Sequence, residues 1–223
     1  MAAPPPLHPP PPPGASRLDA GYTVLHEDEH LLAVDKGAGL LTVPGRTIDK
    51  ADSLLTRLVA DGHLPRTAHA AHRLDRDTSG IIAFGRHAAA HRALATQFQE
   101  RRARKRYIAL VWGHLDDDEG IVDLPLGKVR KEGELHARMV VSADGRASLT
   151  RWRVLERRVE ELAAAAPQPP RSVCRVLLEP VTGRGHQLRL HMQAAGVPIV
   201  GDQLHASPED LHQHPESLWE ASL

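Results

Sequence analysis

Residues 72–80 read His-Arg-Leu-Asp-Arg-Asp-Thr-Ser-Gly and place a carboxylate, Asp75, between Arg73 and Arg76, just ahead of an apolar run. Neighbouring cations favour the ionised form of a carboxylate, and an ionised carboxylate can serve as a nucleophile or a charge stabiliser. Taken without context, an Asp such as Asp75 before Thr78-Ser79-Gly80 is most often a turn or cap residue. A small-molecule hydrolase built on Asp75 and His72 is a further reading, but the chain has no identifiable nucleophile elbow or metal set to support it.

Other candidates are ambiguous singly. Tyr107 reads as a sheet aromatic and Arg189 as a helix arginine or a member of a structural ion pair. His72, His186 and His191 do not fall at dense ligand spacing, and no metal is expected. Cys174, the one cysteine, lies in the run VCRVLL and reads as a core thiol. Arg101, Arg102, Arg104, Lys105 and Arg106 put five cations into six residues. A phosphate backbone would supply their counter-charge, as would the carbonyl end of a preceding helix. With seven aromatic residues in all, the chain is poorly equipped for general single-strand binding by stacked bases.

The 223 residues suffice for a substantial core. Lys and Arg total 28, as do Asp and Glu, so a basic face for nucleic acid must come from distribution and not from net charge. No apolar span is long enough to cross a membrane, and the expectation is a cytoplasmic protein without a membrane or obligate protein partner.

Several elements must position these residues. Residues 1–17 are dominated by Pro, Ala and His and read as a disordered tail. A buried strand is predicted at His30–Asp35 and a short extended piece at Leu40–Val43. Ser53 caps a helix whose Leu54, Leu55, Leu58 and Val59 share a face, ending near Gly62. Asp75 then falls on a loop before a strand at Ile81–Phe84. The longest amphipathic helix is predicted over 87–104, with Ala90, Leu94 and Phe98 in one stripe, followed by a strand from Lys105 to Trp112. Asp116–Gly120 reads as a surface turn, Thr150–Val154 and Val173–Leu178 as strands, and 163–170 as a flexible hairpin insertion. His186–Ala195 is predicted helical, with Leu188, Met192 and Ala195 on its stripe and Gly196 as its stop. The pattern is α+β, built on a mostly antiparallel central sheet with flanking helices.

Four ordered blocks, LLAVDKGAGLLTVPG, HRLDRDTSG, ARKRYIALVWG and PVTGRGHQLRLHMQAAGVPIVGD, resemble the signatures of the RNA pseudouridine synthases. The resemblance spans roughly 22–205 and is to the branch that modifies bacterial ribosomal and transfer RNA without an N-terminal RNA-binding module. The VPGR ending of the first block looks most like enzymes that act on both 23S rRNA and a tRNA anticodon stem-loop. It implies the pseudouridine synthase catalytic fold over 18–207, with a tail over 208–223. It also implies that Asp75 is the nucleophile, that Tyr107 packs against a flipped uracil, and that Arg189 pairs with Asp75. Arg73 would fill the gap left by the flipped nucleotide, while the basic run, Arg184 and His186 would contact RNA. No cofactor and no metal are implied.

The chain departs from the family at three places. Gly37 stands where Pro usually follows the lysine, and Leu204-His205 stands where an aromatic pair is common. The segment after 205 lacks the strands that usually complete the central sheet, so they are expected to be missing. A catalytically weak RNA-binding or folding factor is the alternative that this last departure raises.

Overall fold

The structure is a computed structural model that describes residues 21–45, 51–130, 137–160 and 171–205. The Pro-rich tail, the 163–170 insertion and the segment from 206 onward, with its expected lack of strands, lie outside the described residues. Two compact units are present, one through Arg102 and one from Ala103. Among the described residues no helix is long and apolar enough to cross a membrane.

The first unit holds β1 (Tyr22–Glu27), β2 (Leu31–Lys36), α1 (Leu54–Ala60), β3 (Gly80–Gly85) and α2 (Ala88–Gln99). Its three strands form an antiparallel sheet in the order β1-β2-β3. Alternation along β2 buries Leu32, Val34 and Lys36, and Leu32 and Val34 lie opposite Phe84 and Ile82 of β3. These residues meet Leu54 and Leu58, one helical turn apart on α1, in a single core with Leu40 and Leu64. Ser53 caps α1 in a reciprocal capping box with Thr56. The predicted extended piece at 40–43 joins no ladder. Its carbonyls at Leu41 and Thr42 instead accept the N–H groups of Leu54 and Leu55, two donors that a helix start leaves without intrahelical partners.

Helix α2 ends five residues earlier than predicted. Arg101 adopts the left-handed region (φ 59°), its N–H donates to Phe98 O, and that of Arg102 donates to Gln97 O. This double closure is a Schellman stop, a position usually held by glycine. The arginine hides it from a sequence reading. Arg101→Gly is expected to raise stability by about 0.5–1 kcal/mol, because an L side chain is strained there. A melting temperature that stays level or falls would count against that strain.

The second unit contains β4 (Tyr107–Trp112), β5 (Glu119–Asp123), β6 (Leu126–Val129), β7 (Arg138–Val141), β8 (Leu149–Glu160), β9 (Arg171–Pro180) and α3 (Gln187–Ala194). A four-stranded antiparallel sheet runs β4-β9-β8-β5, and β6 and β7 form a separate two-stranded ribbon. Val111, Val176, Leu178 and the buried thiol Cys174 point into one core with Met192 of α3. The predicted turn at 116–120 is shorter, because Glu119 and Gly120 already pair with β8. The buried face of α3 is also rotated from the prediction: Gln187, Leu190, His191 and Met192 are buried, whereas Ala195 is exposed.

Candidate active site

In the first unit, Asp75 sits in the loop leading into β3, and its backbone is held on both sides. On one side, the Leu74 N–H donates to the Thr42 hydroxyl (3.1 Å), which itself donates to the Leu74 carbonyl (2.8 Å). On the other, the Lys36 ammonium donates to the Arg76 carbonyl at 3.0 Å. Its remaining protons go to the carbonyls of Gly37 and Leu40, both at 2.8 Å. A turn bond from Thr78 N–H to the Asp75 carbonyl closes the loop. Thr42 and Lys36 are both buried, Lys36 at 0% exposure, so both clamps are shielded from competing water.

Burial pulls the Lys36 pKa down to about 8, against the opposing charges of Asp77 and Asp75. The ammonium is therefore the main form at neutral pH, and all three of its protons are used. His72 braces the start of the loop. Its Nε2 accepts the Ala83 N–H (3.0 Å), and its ring stacks on Phe98 with centroids 4.0 Å apart. The Nε2 lone pair is therefore the acceptor that ties the loop to β3. Arg73 is exposed beside the half-buried Asp75.

In the second unit, Tyr107 opens β4 opposite Leu178 and is half-buried against the core. Arg189 projects from α3 and grips Asp202 in a fork, Nε to Oδ2 at 2.9 Å and Nη2 to Oδ1 in a second, short bond. Asp202 is 5% exposed and also accepts the N–H groups of Leu204 (3.1 Å) and His205 (3.2 Å). Burial alone would raise its pKa, but the Arg189 bonds and charge outweigh that and hold the carboxyl below the usual range.

The start of α3 is fixed by Gln187. Its Oε1 accepts from the Thr182 hydroxyl (2.7 Å) and the Arg184 N–H (3.0 Å), and its Nε2 donates to the Leu149 carbonyl and to Thr150 Oγ1. Thr150 meets His191 Nδ1 at 2.9 Å, and His191 Nε2 lies 3.1 Å from the Leu124 carbonyl. Burial lowers the His191 pKa, so the neutral ring donates through Nε2 and accepts through Nδ1. His186 takes the left-handed region (φ 54°) at the helix start and its Nδ1 meets His205 Nε2 at 2.9 Å. Among the described residues no group of three or more His, Cys, Asp or Glu side chains is placed to hold a metal.

The basic run is only partly uncompensated. Arg102 pairs with Glu100 (2.8 Å), Arg106 with Glu179 (2.9 Å), and Lys105 donates to the Thr182 carbonyl (3.0 Å). Arg101 and Arg104 are exposed, and no carboxylate among the described residues pairs with either. Arg184 reaches the Ala147 carbonyl at 3.4 Å.

Sequence reasoning missed Thr42, Lys36 and Asp202. Only Lys36 carried a usable signal: a charge at the inward position after Leu32 and Val34, where alternation demands an apolar residue or a bound one.

The chain matches the family model described as RNA pseudouridylate synthase over residues 30–194, a span that contains Asp75, Tyr107 and Arg189. It is similar to the dual-specificity RNA pseudouridine synthase RluA of Salmonella typhi, 43% identical over 200 residues that make up 90% of this chain and 84% of that protein. The protein of the same description in Escherichia coli strain K12 is 40% identical over the same shares. Among solved structures, human RNA pseudouridylate synthase domain containing 1 superposes with a TM-score of 0.69 at 29% identity, covering 88% of this chain and 74% of that one.

Proposed function

We infer the reaction from one premise: this chain belongs to the RNA pseudouridylate synthase family. It isomerises uridine in RNA to pseudouridine, breaking the C–N glycosidic bond and re-forming the link as C–C. Its substrates in our reading are a site in 23S rRNA and a site in a tRNA anticodon stem-loop, and it works on them in the cytoplasm. The observation that carries this reading is the similarity to dual-specificity enzymes over nine-tenths of the chain.

We assign Asp75 as the nucleophile, adding to the sugar or the base while the uracil is detached and turned. Tyr107 is assigned to pack against the uracil, and Arg189 to supply the positive charge that keeps the reacting carboxylate ionised. The uridine must leave its stack first, at a cost of a few kcal/mol, and Arg73 is assigned to the space it vacates. Arg101, Arg102, Arg104, Lys105, Arg106, Arg184 and His186 are assigned to RNA contact. One feature supports two of these assignments: Arg101 and His186 are the two non-glycine residues with positive φ among those described. Backbone strain kept at a polar side chain is a common mark of function. Residues 18–207 form the catalytic domain in this scheme.

Incubation with transcribed 23S fragments and tRNA, followed by mapping of pseudouridine at single-nucleotide resolution, tests the substrate reading. One modified uridine in each RNA is expected. Modification of one RNA alone would overturn dual specificity.

A further inference from the structure

We propose that Phe98, in the last turn of α2, is a positioning residue for the nucleophile: its ring holds the His72 imidazole and, through it, the loop that carries Asp75. The proposal rests on the assignment of Asp75 above and adds a residue that no part of that scheme yet uses.

Phe98 is not employed as an aromatic on an amphipathic helix usually is. It is part-buried, and among the described residues it belongs to neither hydrophobic core. No residue of α2 is fully buried. The ring is laid instead on the imidazole of His72, with centroids 4.0 Å apart and planes 17° from parallel.

Two restraints then act on one imidazole. The Ala83 N–H donates to Nε2 at 3.0 Å, which pins the far end of the ring but leaves it free to turn about its long axis. Phe98 lies against the face and removes that rotation. With its plane fixed, His72 fixes where the loop begins, three residues before Asp75. Thr42 and Lys36 hold the peptide groups of Leu74 and Arg76 on either side of Asp75, and the stacked pair holds the upstream end.

The platform behind Phe98 is rigid. α2 lies so close to β3 that a Cβ on Gly85 would sit 2.2 Å from the His91 backbone nitrogen. Phe98 follows His91 by two helical turns, on the same face. The last turn is closed, because the Phe98 carbonyl accepts the N–H groups of Glu100 and Arg101. β3, α2, the stacked pair and the nucleophile loop therefore form a closed frame that returns to β3 at Gly80. A reactive side chain is held to within a fraction of an ångström only when its supports are themselves locked.

The test uses the full chain and three variants, assayed well below their melting temperatures. Phe98→Leu keeps apolar bulk and loses the flat face, Phe98→Tyr keeps the face, and Leu94→Ala thins the packing of α2 one turn earlier. Phe98→Leu should cut kcat about 10- to 100-fold, the scale of a displacement of about 1 Å at a reacting group, with KM and RNA affinity unchanged. Phe98→Tyr should keep kcat, and Leu94→Ala should lower the melting temperature without lowering kcat. Adding His72→Ala to Phe98→Leu should cost less than the product of the two single losses, because both act through one contact. Amide hydrogen exchange gives a readout independent of turnover. The Thr78 N–H, bonded to the Asp75 carbonyl, should exchange faster in Phe98→Leu and not in Leu94→Ala. Unchanged kcat in Phe98→Leu, a loss confined to KM, or an equal loss in Leu94→Ala would overturn the proposal and leave Phe98 as packing. If the unmutated chain isomerises no uridine yet Thr78 exchange responds to Phe98 alone, the functional reading fails and the brace stands.

Discussion

Asp75→Asn should leave a folded protein that binds its RNA and turns over at less than about one-thousandth of the original rate, the scale of loss when a nucleophile is removed. Asparagine keeps the size and the polar surface of the side chain but cannot add to carbon as an oxyanion. The loop should not move, because its fixed points are backbone groups: Leu74 held by Thr42 and Arg76 held by Lys36. Stability should fall far less than turnover, because those backbone clamps are untouched. Single-turnover kinetics alongside a thermal melt separate the two effects. Retained turnover in the variant would remove Asp75 from the chemistry.

Lys36→Met should have the largest effect on stability. The ammonium is wholly buried and donates to three carbonyls, so its loss leaves three acceptors without a donor in the interior. A loss of about 2–4 kcal/mol is expected, since an orphaned buried acceptor costs about 1–3 kcal/mol and the relief of an unpaired buried cation offsets part of the sum. Turnover should drop with it, even well below the melting point, because the Arg76 carbonyl next to Asp75 is released. The same group sets a pH dependence. With a folded pKa of about 8 against 10.5 for an ordinary lysine, Lys36 loses a proton, and one of its three bonds, as pH rises through 8. Activity should therefore decline on that limb. The stability contribution runs the other way. Between about pH 8 and 10.5 the unfolded chain holds the extra proton, so the burial penalty of Lys36 fades as pH rises. Denaturant melts of the unmutated chain and the Met variant across this range should show the rise in the first and not in the second.

The parts of the fold that were legible in the sequence are those where one local rule decides. Short apolar runs marked β2 and β3, Ser53 marked the start of α1, and Gly196 marked the stop of α3. Strands β1, β6 and β7 gave no such pattern. YTVLHE, LGKV and RMVV are short and expose much of their length, so burial does not impose a period on them. The end of α2 was hidden because Arg101 occupies a left-handed position that sequence rules give to glycine. The inward face of α3 was misplaced for a different reason. Gln187 and His191 are polar, and they are buried only because Thr150, Thr182 and two backbone carbonyls saturate them. Partners drawn from distant segments cannot be counted from spacing. The site divides the same way: Asp75 stood out within its own nine residues, whereas Thr42 and Asp202 matter through what they hold.

The most direct test of the whole account is tritium release from RNA labelled at C5 of uridine, because re-forming the link at C5 expels the hydrogen there. The unmutated chain should release one tritium for each target uridine from transcribed tRNA and 23S fragments. No release from folded protein that demonstrably binds those RNAs would contradict the assignment of this chain as an active pseudouridine synthase.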